Sequence, residues 1–199
     1  MARKRSLDEG PVLRGQIIAE AAALFYERGY GSSSIRDIAE AAGISSSTMY
    51  HYFANKQEVL YAITSKFMTD FVAATVPVLR DRAHTPTVRI RNVVRIHLEM
   101  SDDRRSELLV GTAVRYALNP EQRREVIELQ QAYHDAARDV IAEGCATGEF
   151  HVADVRLTTM AVLDMLNGVR EWFRRTGPLS RSEIVDRYTT LVLKILEPR

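Results

Sequence analysis

Apolar residues recur along this chain at helical spacing. Ile17, Ile18, Ala21, Leu24 and Phe25 share one face of a helix expected to start at Leu13 and stop at Gly29, just after Arg28. Ser34, with Asp37 three residues on, reads as a capping box. Ile35, Ile38, Ala39 and Ala42 then repeat on one helical face until Gly43 ends the run. Ser45 offers the next N-cap, and Ser46 to Tyr52 reads as a short helix with Met49, Tyr52 and Phe53 turned inward. Asn55, with Glu58 behind it, opens a long helix at Lys56 that carries Val59, Leu60, Ile63, Phe67 and Phe71. Pro77 is expected to kink or weaken it before Arg82. Further helices are predicted at Pro86 to Met100, Asp102 to Leu118, Pro120 to Gly144, Asp154 to Arg175 and Ser180 to Leu196. Their breaks fall at Asn119-Pro120, Gly144 to Gly148 and Gly177-Pro178, and Ser180 with Glu183 forms another capping box. No alternating β-branched run is bounded by hairpin turns. The pattern predicts an all-α chain of about nine helices.

Composition narrows the class without naming a function. An apolar fraction of 46% and a charged fraction of 27% over 199 residues exclude disorder over most of the chain. Cys145 is the single cysteine, which rules out an internal disulfide and suits a reducing compartment. No apolar run reaches the roughly 20 residues of a membrane span. The longest, Phe67 to Leu79, holds Asp70. Arg3, Lys4 and Arg5 are followed by Asp8 and Glu9 rather than by an apolar stretch, so no signal peptide is expected. The expectation is a cytoplasmic protein with no membrane partner. Net charge is +1, and the parts before and after residue 56 are each near neutrality. Any affinity for nucleic acid must therefore come from where charges sit, not from their total.

The informative stretch runs from Ser34 to Tyr52. Two short amphipathic helices flank Ala42-Gly43-Ile44, where Gly43 suits a turn with positive φ. Ala39 allows close approach, and Ile35, Ile38, Ile44 and Met49 can fill the space between. This is helix-turn-helix geometry. The outward residues of the second helix are Ser46, Ser47, Thr48, Tyr50 and His51. Short polar groups at a helix start can enter a major groove, and the free N–H groups there favour phosphate. Lys56 and Arg36 add cations, and the first 12 residues read as a mobile basic arm. On pattern alone DNA binding and plain helix packing are equally open, and Tyr50 fits a core role as well as a phosphate role.

The same blocks resemble the TetR family of regulators. Ala21-Ala22-Ala23-Leu24-Phe25-Tyr26-Glu27-Arg28-Gly29-Tyr30 is similar to the family's first helix, and Ser34 to Ser45 to its second helix and turn. Thr48-Met49-Tyr50-His51-Tyr52-Phe53 with Ala54-Asn55-Lys56-Gln57-Glu58-Val59-Leu60 resembles the recognition helix and the start of the fourth. The resemblance covers about residues 13 to 62, in order, and the rest of the chain agrees in helix count and size. It implies a three-helix DNA-binding domain at 13–56 and a helical ligand-binding and dimerisation domain at 57–199. It further implies a homodimeric repressor on a palindromic double-stranded operator, released by a small-molecule effector. By motif position Ser34, Arg36, Ser45, Ser46, Ser47, Thr48, Tyr50, His51 and Lys56 would contact DNA. Tyr50, His51 and Lys56 would anchor phosphates, and Ser46, Ser47 and Thr48 would face bases. Serines stand where many relatives carry Lys or Arg and Gly, which speaks against bidentate guanine reading.

The resemblance also assigns the last two helices to a dimer interface, with Met160, Leu163, Leu166, Leu191, Val192 and Ile195 as its apolar surface; packing inside the subunit is the competing reading. The middle helices should enclose an effector pocket lined by Phe67, Phe71, Ile96, His97, Met100, Tyr116, Tyr133, Met165, Arg170 and Trp172. Arg170 beside Trp172 can hold an anionic, partly flat ligand, or can be a surface ion-pair partner. The chain looks similar to actinobacterial members that control lipid and steroid catabolism, which makes a CoA thioester a candidate effector. An enzyme finds little support. No Glu-x-x-His pair, no zinc spacing and no Walker or dinucleotide glycine motif is present, and Cys145 near His134 or His151 is a weak nucleophile. No cofactor and no metal site are expected. A helical interaction module is the other alternative.

Overall fold

Capping chemistry sets most of the helix boundaries. The protein is seen in a computed structural model that describes residues 9–196. The described residues form α1 (Glu9–Arg28), α2 (Ile35–Ala41), α3 (Ser46–Tyr52), α4 (Lys56–Arg80), α5 (Pro86–Asp103), α6 (Arg105–Ala113), α7 (Pro120–Thr147), α8 (Val155–Trp172) and α9 (Arg181–Leu196), with one 3-10 turn at Arg115–Ala117 and no strand. Ser34 and Asp37 form the predicted capping box of α2. The Ser45 hydroxyl accepts from the Thr48 amide at the start of α3, and Asn55 Oδ1 accepts from the Glu58 amide at the start of α4 (3.0 Å each). Ser180 and Glu183 exchange the reciprocal bonds ahead of α9. Gly43 has φ 66° after α2, a left-handed position that a side chain would strain.

Several boundaries differ from the sequence reading, among them α7, which runs past Gly144 to Thr147, and α8, which stops at Trp172 rather than Arg175. α1 begins at Glu9, so residues 9–12 are its first turn rather than part of an arm. Arg3, Lys4 and Arg5 lie outside the described residues. The helix expected from Asp102 to Leu118 is divided: α5 runs on to Asp103, α6 stops at Ala113, and the 3-10 turn follows. Arg123 Nη2 collects the carbonyls of Tyr116 and Leu118 at 3.1 and 3.3 Å, which serves groups that the break removes from helical pairing. α4 passes through Pro77 and continues to Arg80. As a whole, α4 is long and apolar enough to cross a membrane by length and composition, which the shorter run Phe67 to Leu79 did not suggest. Its apolar side is nonetheless spent inside the protein, where Val59, Leu60, Ile63, Phe67, Phe71, Val76 and Leu79 are buried.

The chain folds as two compact units that part elsewhere than between residues 56 and 57. One holds the described residues up to Phe67 together with Ser106–Val126, and the other Met68–Arg105 together with those from Ile127 onward. α4 gives its first half to one unit and its second half to the other. In the first unit Ile17, Ile18, Ala21, Leu24, Phe25, Ile38, Ala39, Met49, Phe53, Leu60 and Ile63 are buried, as α1 packs on α2 and α2 on α3. Gly111 of α6 lies so near Thr64 of α4 that an added Cβ would sit 3.1 Å from Oγ1. In the second unit α5 packs on both α8 and α9. Gly144 leaves room for the Phe150 ring, which a Cβ would meet at 2.1 Å.

Candidate nucleic-acid interface and effector core

The turn between α2 and α3 is held by the backbone itself. The Gly43 amide donates to the Glu40 carbonyl (3.0 Å) and the Ile44 amide to that of Ala39 (2.9 Å). Met49 is fully buried and fixes which side of α3 faces inward. The opposite side presents Ser46, Ser47, Tyr50 and His51 to solvent, with Ser45 at its start and Ser34 and Arg36 exposed at the head of α2. Tyr50 is 54% exposed, so its ring is not a core ring. Seven of the nine residues assigned to DNA by motif position thus lie on open surface.

The remaining two are partly turned to other work. Thr48 is half-buried, and its hydroxyl lies 2.9 Å from the Ser45 hydroxyl that caps α3. Lys56 is half-buried and spans back to the end of α1, where Nζ donates to the carbonyls of Tyr30 (2.6 Å) and Ser33 (2.7 Å). It also rests 4.3 Å from the centre of the Tyr30 ring. Lys56 therefore clamps the loop after α1, and its ammonium, with three N–H donors, keeps one beyond these two bonds. Local spacing carried no sign of this, because Tyr30 and Lys56 are 26 residues apart. The Ser34 side chain and backbone hold the Asp37 carboxyl below its ordinary pKa.

The second unit holds a polar cluster inside its core. His97 of α5 and Tyr133 of α7 are 2% and 4% exposed, and His97 Nδ1 lies 3.0 Å from the Tyr133 hydroxyl. The Phe71 ring of α4 stands edge-on to both, at 5.1 and 4.9 Å between centres. Burial, with the positive charge of Arg170 and then His134 adding to it, pushes the His97 pKa down to about 3, so the ring is neutral at pH 7. Asn167 hydrogen-bonds the same ring. Burial also pushes the Tyr133 phenol up. Beside Tyr133 an apolar void of about 10 Å³ lies among Ile90, Val94, Ile141, Val162, Leu163 and Leu166.

The expected pocket residues thus scatter. Phe71, His97, Tyr133 and Arg170 come together, and Met100 and Met165 are half-buried in the same unit. Phe67 and Tyr116 belong to the other unit. Tyr116 is 76% exposed, because the 3-10 turn after α6 points its ring outward. Trp172 is half-exposed at the end of α8, 6.2 Å from the Tyr188 ring. Arg170 pairs with Glu171 at 3.2 Å.

The apolar surface assigned to α8 and α9 also divides. Leu163, Leu166 and Val192 are buried within the subunit, since they face α5, whereas Met160, Leu191 and Ile195 are open. Leu157, which the sequence reading passed over, is 64% exposed one turn before Met160. Among the described residues no group of three or more His, Cys, Asp or Glu side chains is placed to hold a metal ion.

A capped two-helix reader ahead of a helical body is the arrangement that comparison with known proteins recovers. Residues 17–63 match the model for bacterial regulatory proteins of the tetR family, and residues 83–196 match the tetracyclin repressor-like C-terminal domain. The chain belongs to the TetR family. It is a transcriptional regulator by that membership, which removes the enzyme reading. Among TetR-family relatives, the HTH-type transcriptional repressor KstR2 of Mycobacterium tuberculosis is 28% identical over 182 residues, 90% of each chain. The solved structure of that ketosteroid transcriptional regulator matches at TM-score 0.82 and 27% identity, over 94% of this chain and 95% of the other. PfmR, a TetR-family regulator from Thermus thermophilus, matches at TM-score 0.83 and 33% identity, over 92% of this chain and 99% of the other. The tetR segment spans α2, α3 and the start of α4, so every side chain of the exposed α2–α3 face lies within it.

Proposed function

We propose that this TetR-family chain is a homodimeric repressor that reads a palindromic operator with α3 and leaves it when a small molecule enters the second unit. The observation that carries the reading is the two-sidedness of α3. Met49 locks its inner side, and Ser46, Ser47, Tyr50 and His51 stand free on the outer one. Tyr50 and His51 serve phosphates, with the spare Lys56 donor beside them, and Ser46 and Ser47 serve base edges. Ser34, Ser45 and Arg36 contact the backbone from the head of α2 and the turn, while Thr48 orients Ser45. A dimer would place its two recognition helices about 34–36 Å apart, one turn of DNA. Leu157, Met160, Leu191 and Ile195, with Trp172, supply the apolar surface for the partner. The functional division is a DNA-binding part near residues 13–56 and a ligand-binding and dimerisation part from 57 on, in a protein that works in the cytoplasm.

The effector is a lipid- or steroid-derived molecule, with a CoA thioester as the class in view. KstR2, similar over 90% of its length, is named as a ketosteroid regulator and a repressor. Phe71, His97, Tyr133 and Arg170 offer an aromatic wall, a neutral imidazole, a phenol and a cation. The void beside Tyr133 holds only about 10 Å³. Ligand pockets are typically ~300–1,000 Å³, so the effector must favour an opened conformation. α4 belongs to both units, so a ligand that prefers an opened second unit can shift the population away from the one that fits the operator. The test is fluorescence anisotropy with a duplex from the promoter beside the gene, run at fixed salt with and without steroid-derived and fatty-acyl CoA thioesters. Tight binding that ligand weakens is expected. Unchanged affinity at ligand saturation would refute induction, and a monomer by sedimentation at working concentration would refute the dimer.

A further inference from the structure

A second polar site sits at the far end of α4, away from the His97 cluster. A cavity of about 280 Å³ lies between Leu79 and Arg80 of α4, Arg82 in the loop that follows, Arg89 of α5, and Asp139 and Glu143 of α7. All of these residues belong to the second unit. Arg89 is 2% exposed. Its Nη1 donates to the Leu79 carbonyl at 3.0 Å and its Nη2 to the Glu143 carboxylate, but its Nε finds no acceptor. Buried ionised donors without acceptors are rare, because their lost hydration is not replaced.

In the cavity lining three guanidinium groups face two carboxylates, while Asp81 and Glu149 stand outside the lining within electrostatic reach of Arg89. Glu143 is occupied by Arg89, and Asp139 by Arg138 at 2.8 Å. Arg80 and Arg82 are exposed, and their side chains have no ion pair or hydrogen bond among the described residues. Three guanidinium groups thus border one small cavity whose two carboxylates are already paired. Guanidinium forks match tetrahedral oxyanions two bonds at a time, which a point charge does not. The volume suits a phosphate or diphosphate group better than a whole lipid.

We propose that this cavity binds a phosphate or diphosphate group, free or carried by a small organic molecule. Arg80 and Arg82 grip it at the mouth and Arg89 at the base, and Glu143 is the internal carboxylate that yields when the anion arrives. The operator and effector readings use none of these residues.

Calorimetric titration of the full chain tests it, with inorganic pyrophosphate and ADP as probes and chloride at matched ionic strength as control. Saturable binding of one pyrophosphate per chain is expected. The exposed-site double variant Arg80→Gln/Arg82→Gln should weaken it roughly ten-fold or more, the scale of one lost charge-assisted bond. Glu143→Gln removes the competitor and should tighten binding several-fold, the opposite of what a purely structural carboxylate predicts. If pyrophosphate binds and ADP does not, the site takes a free anion; if ADP binds as well, it takes an esterified one. Absence of saturable binding by either probe, or equal affinity in the double variant with its melting temperature unchanged, would overturn the proposal.

Discussion

Two polar clusters in this chain live in opposite surroundings. On α3, Ser46, Ser47, Tyr50 and His51 face solvent from a helix only seven residues long. In the second unit, His97 and Tyr133 face each other inside a wall of apolar side chains. The outer cluster contributes little to the fold, because its groups are hydrated whether the chain is folded or not. The inner one contributes through mutual satisfaction, because neither group can reach water. Substitutions on α3 should therefore change binding and spare stability, and substitutions around His97 should first change stability. A regulator needs both properties: a reader that can be altered without unfolding, and a core whose polar groups bias one conformation.

The largest effect should come from Phe71→Ala. The ring is 5% exposed and borders both His97 and Tyr133, so its removal leaves a cavity against two polar groups. A loss of about 3–5 kcal/mol is expected from such a truncation. Chemical denaturation checks it. A loss below about 1 kcal/mol would mean that the cluster is looser than its packing implies.

Next in size is a pH effect. The His97 pKa in the folded chain, about 3, lies below the unfolded value of 6.5. The unfolded chain therefore takes up the proton first. The stability that goes with the neutral ring is full above pH 6.5 and is lost as pH falls toward 3. Between pH 7 and pH 5 the loss from this one group is about 2 kcal/mol. His97→Gln should flatten that part of the denaturation-versus-pH curve. A slope equal to the wild type's would assign the acid sensitivity to other groups.

On the outer cluster, Tyr50→Ala should weaken operator binding about ten-fold, the scale of one phosphate contact. It should leave the salt dependence of binding nearly unchanged, because a neutral phenol displaces no counterion, and leave the melting temperature in place. If Tyr50→Ala lowers the melting temperature and not the affinity, the outward side of α3 is not the reading face.

The two clusters also differ in how far the sequence disclosed them. α2, α3 and the end of α1 could be drawn almost residue by residue, whereas the start of α1 lay four residues before the expected Leu13. Gly29, Ser34 with Asp37, Gly43, Ser45 and Asn55 act within one helical turn, so their meaning is local. The exposed side of α3 followed from the same periodicity, once Met49 was placed inside. The Lys56 clamp was not legible because its partners are the carbonyls of Tyr30 and Ser33, brought close only by folding. The same limit governs the second unit. His97 and Tyr133 are 36 residues apart, and Arg89 and Glu143 are 54. Nothing in either neighbourhood marks the pairing. Helical periodicity could nominate Leu163, Leu166 and Val192 as apolar, but not say whether a partner or the subunit's own α5 covers them.

The smallest effect is the one that best separates contact from scaffold within α3. Ser45 and Ser47 are both exposed serines at the start of the same helix. Ser45 Oγ accepts the Thr48 amide at 3.0 Å and lies 2.9 Å from its hydroxyl, and no intramolecular hydrogen bond among the described residues engages the Ser47 hydroxyl. Ser45→Ala should cost about 1 kcal/mol of stability, the usual loss of an N-cap, with operator affinity falling only through the disturbed helix start. Ser47→Ala should stay within about 0.5 kcal/mol of wild-type stability. Its effect should appear instead as a changed preference among operator variants, read by competition between duplexes that differ at single base pairs. The two serines thus predict opposite rows of a two-by-two comparison. If Ser47→Ala changes neither stability nor preference, the base-facing role passes to Ser46 and the register of α3 in the groove shifts by one residue.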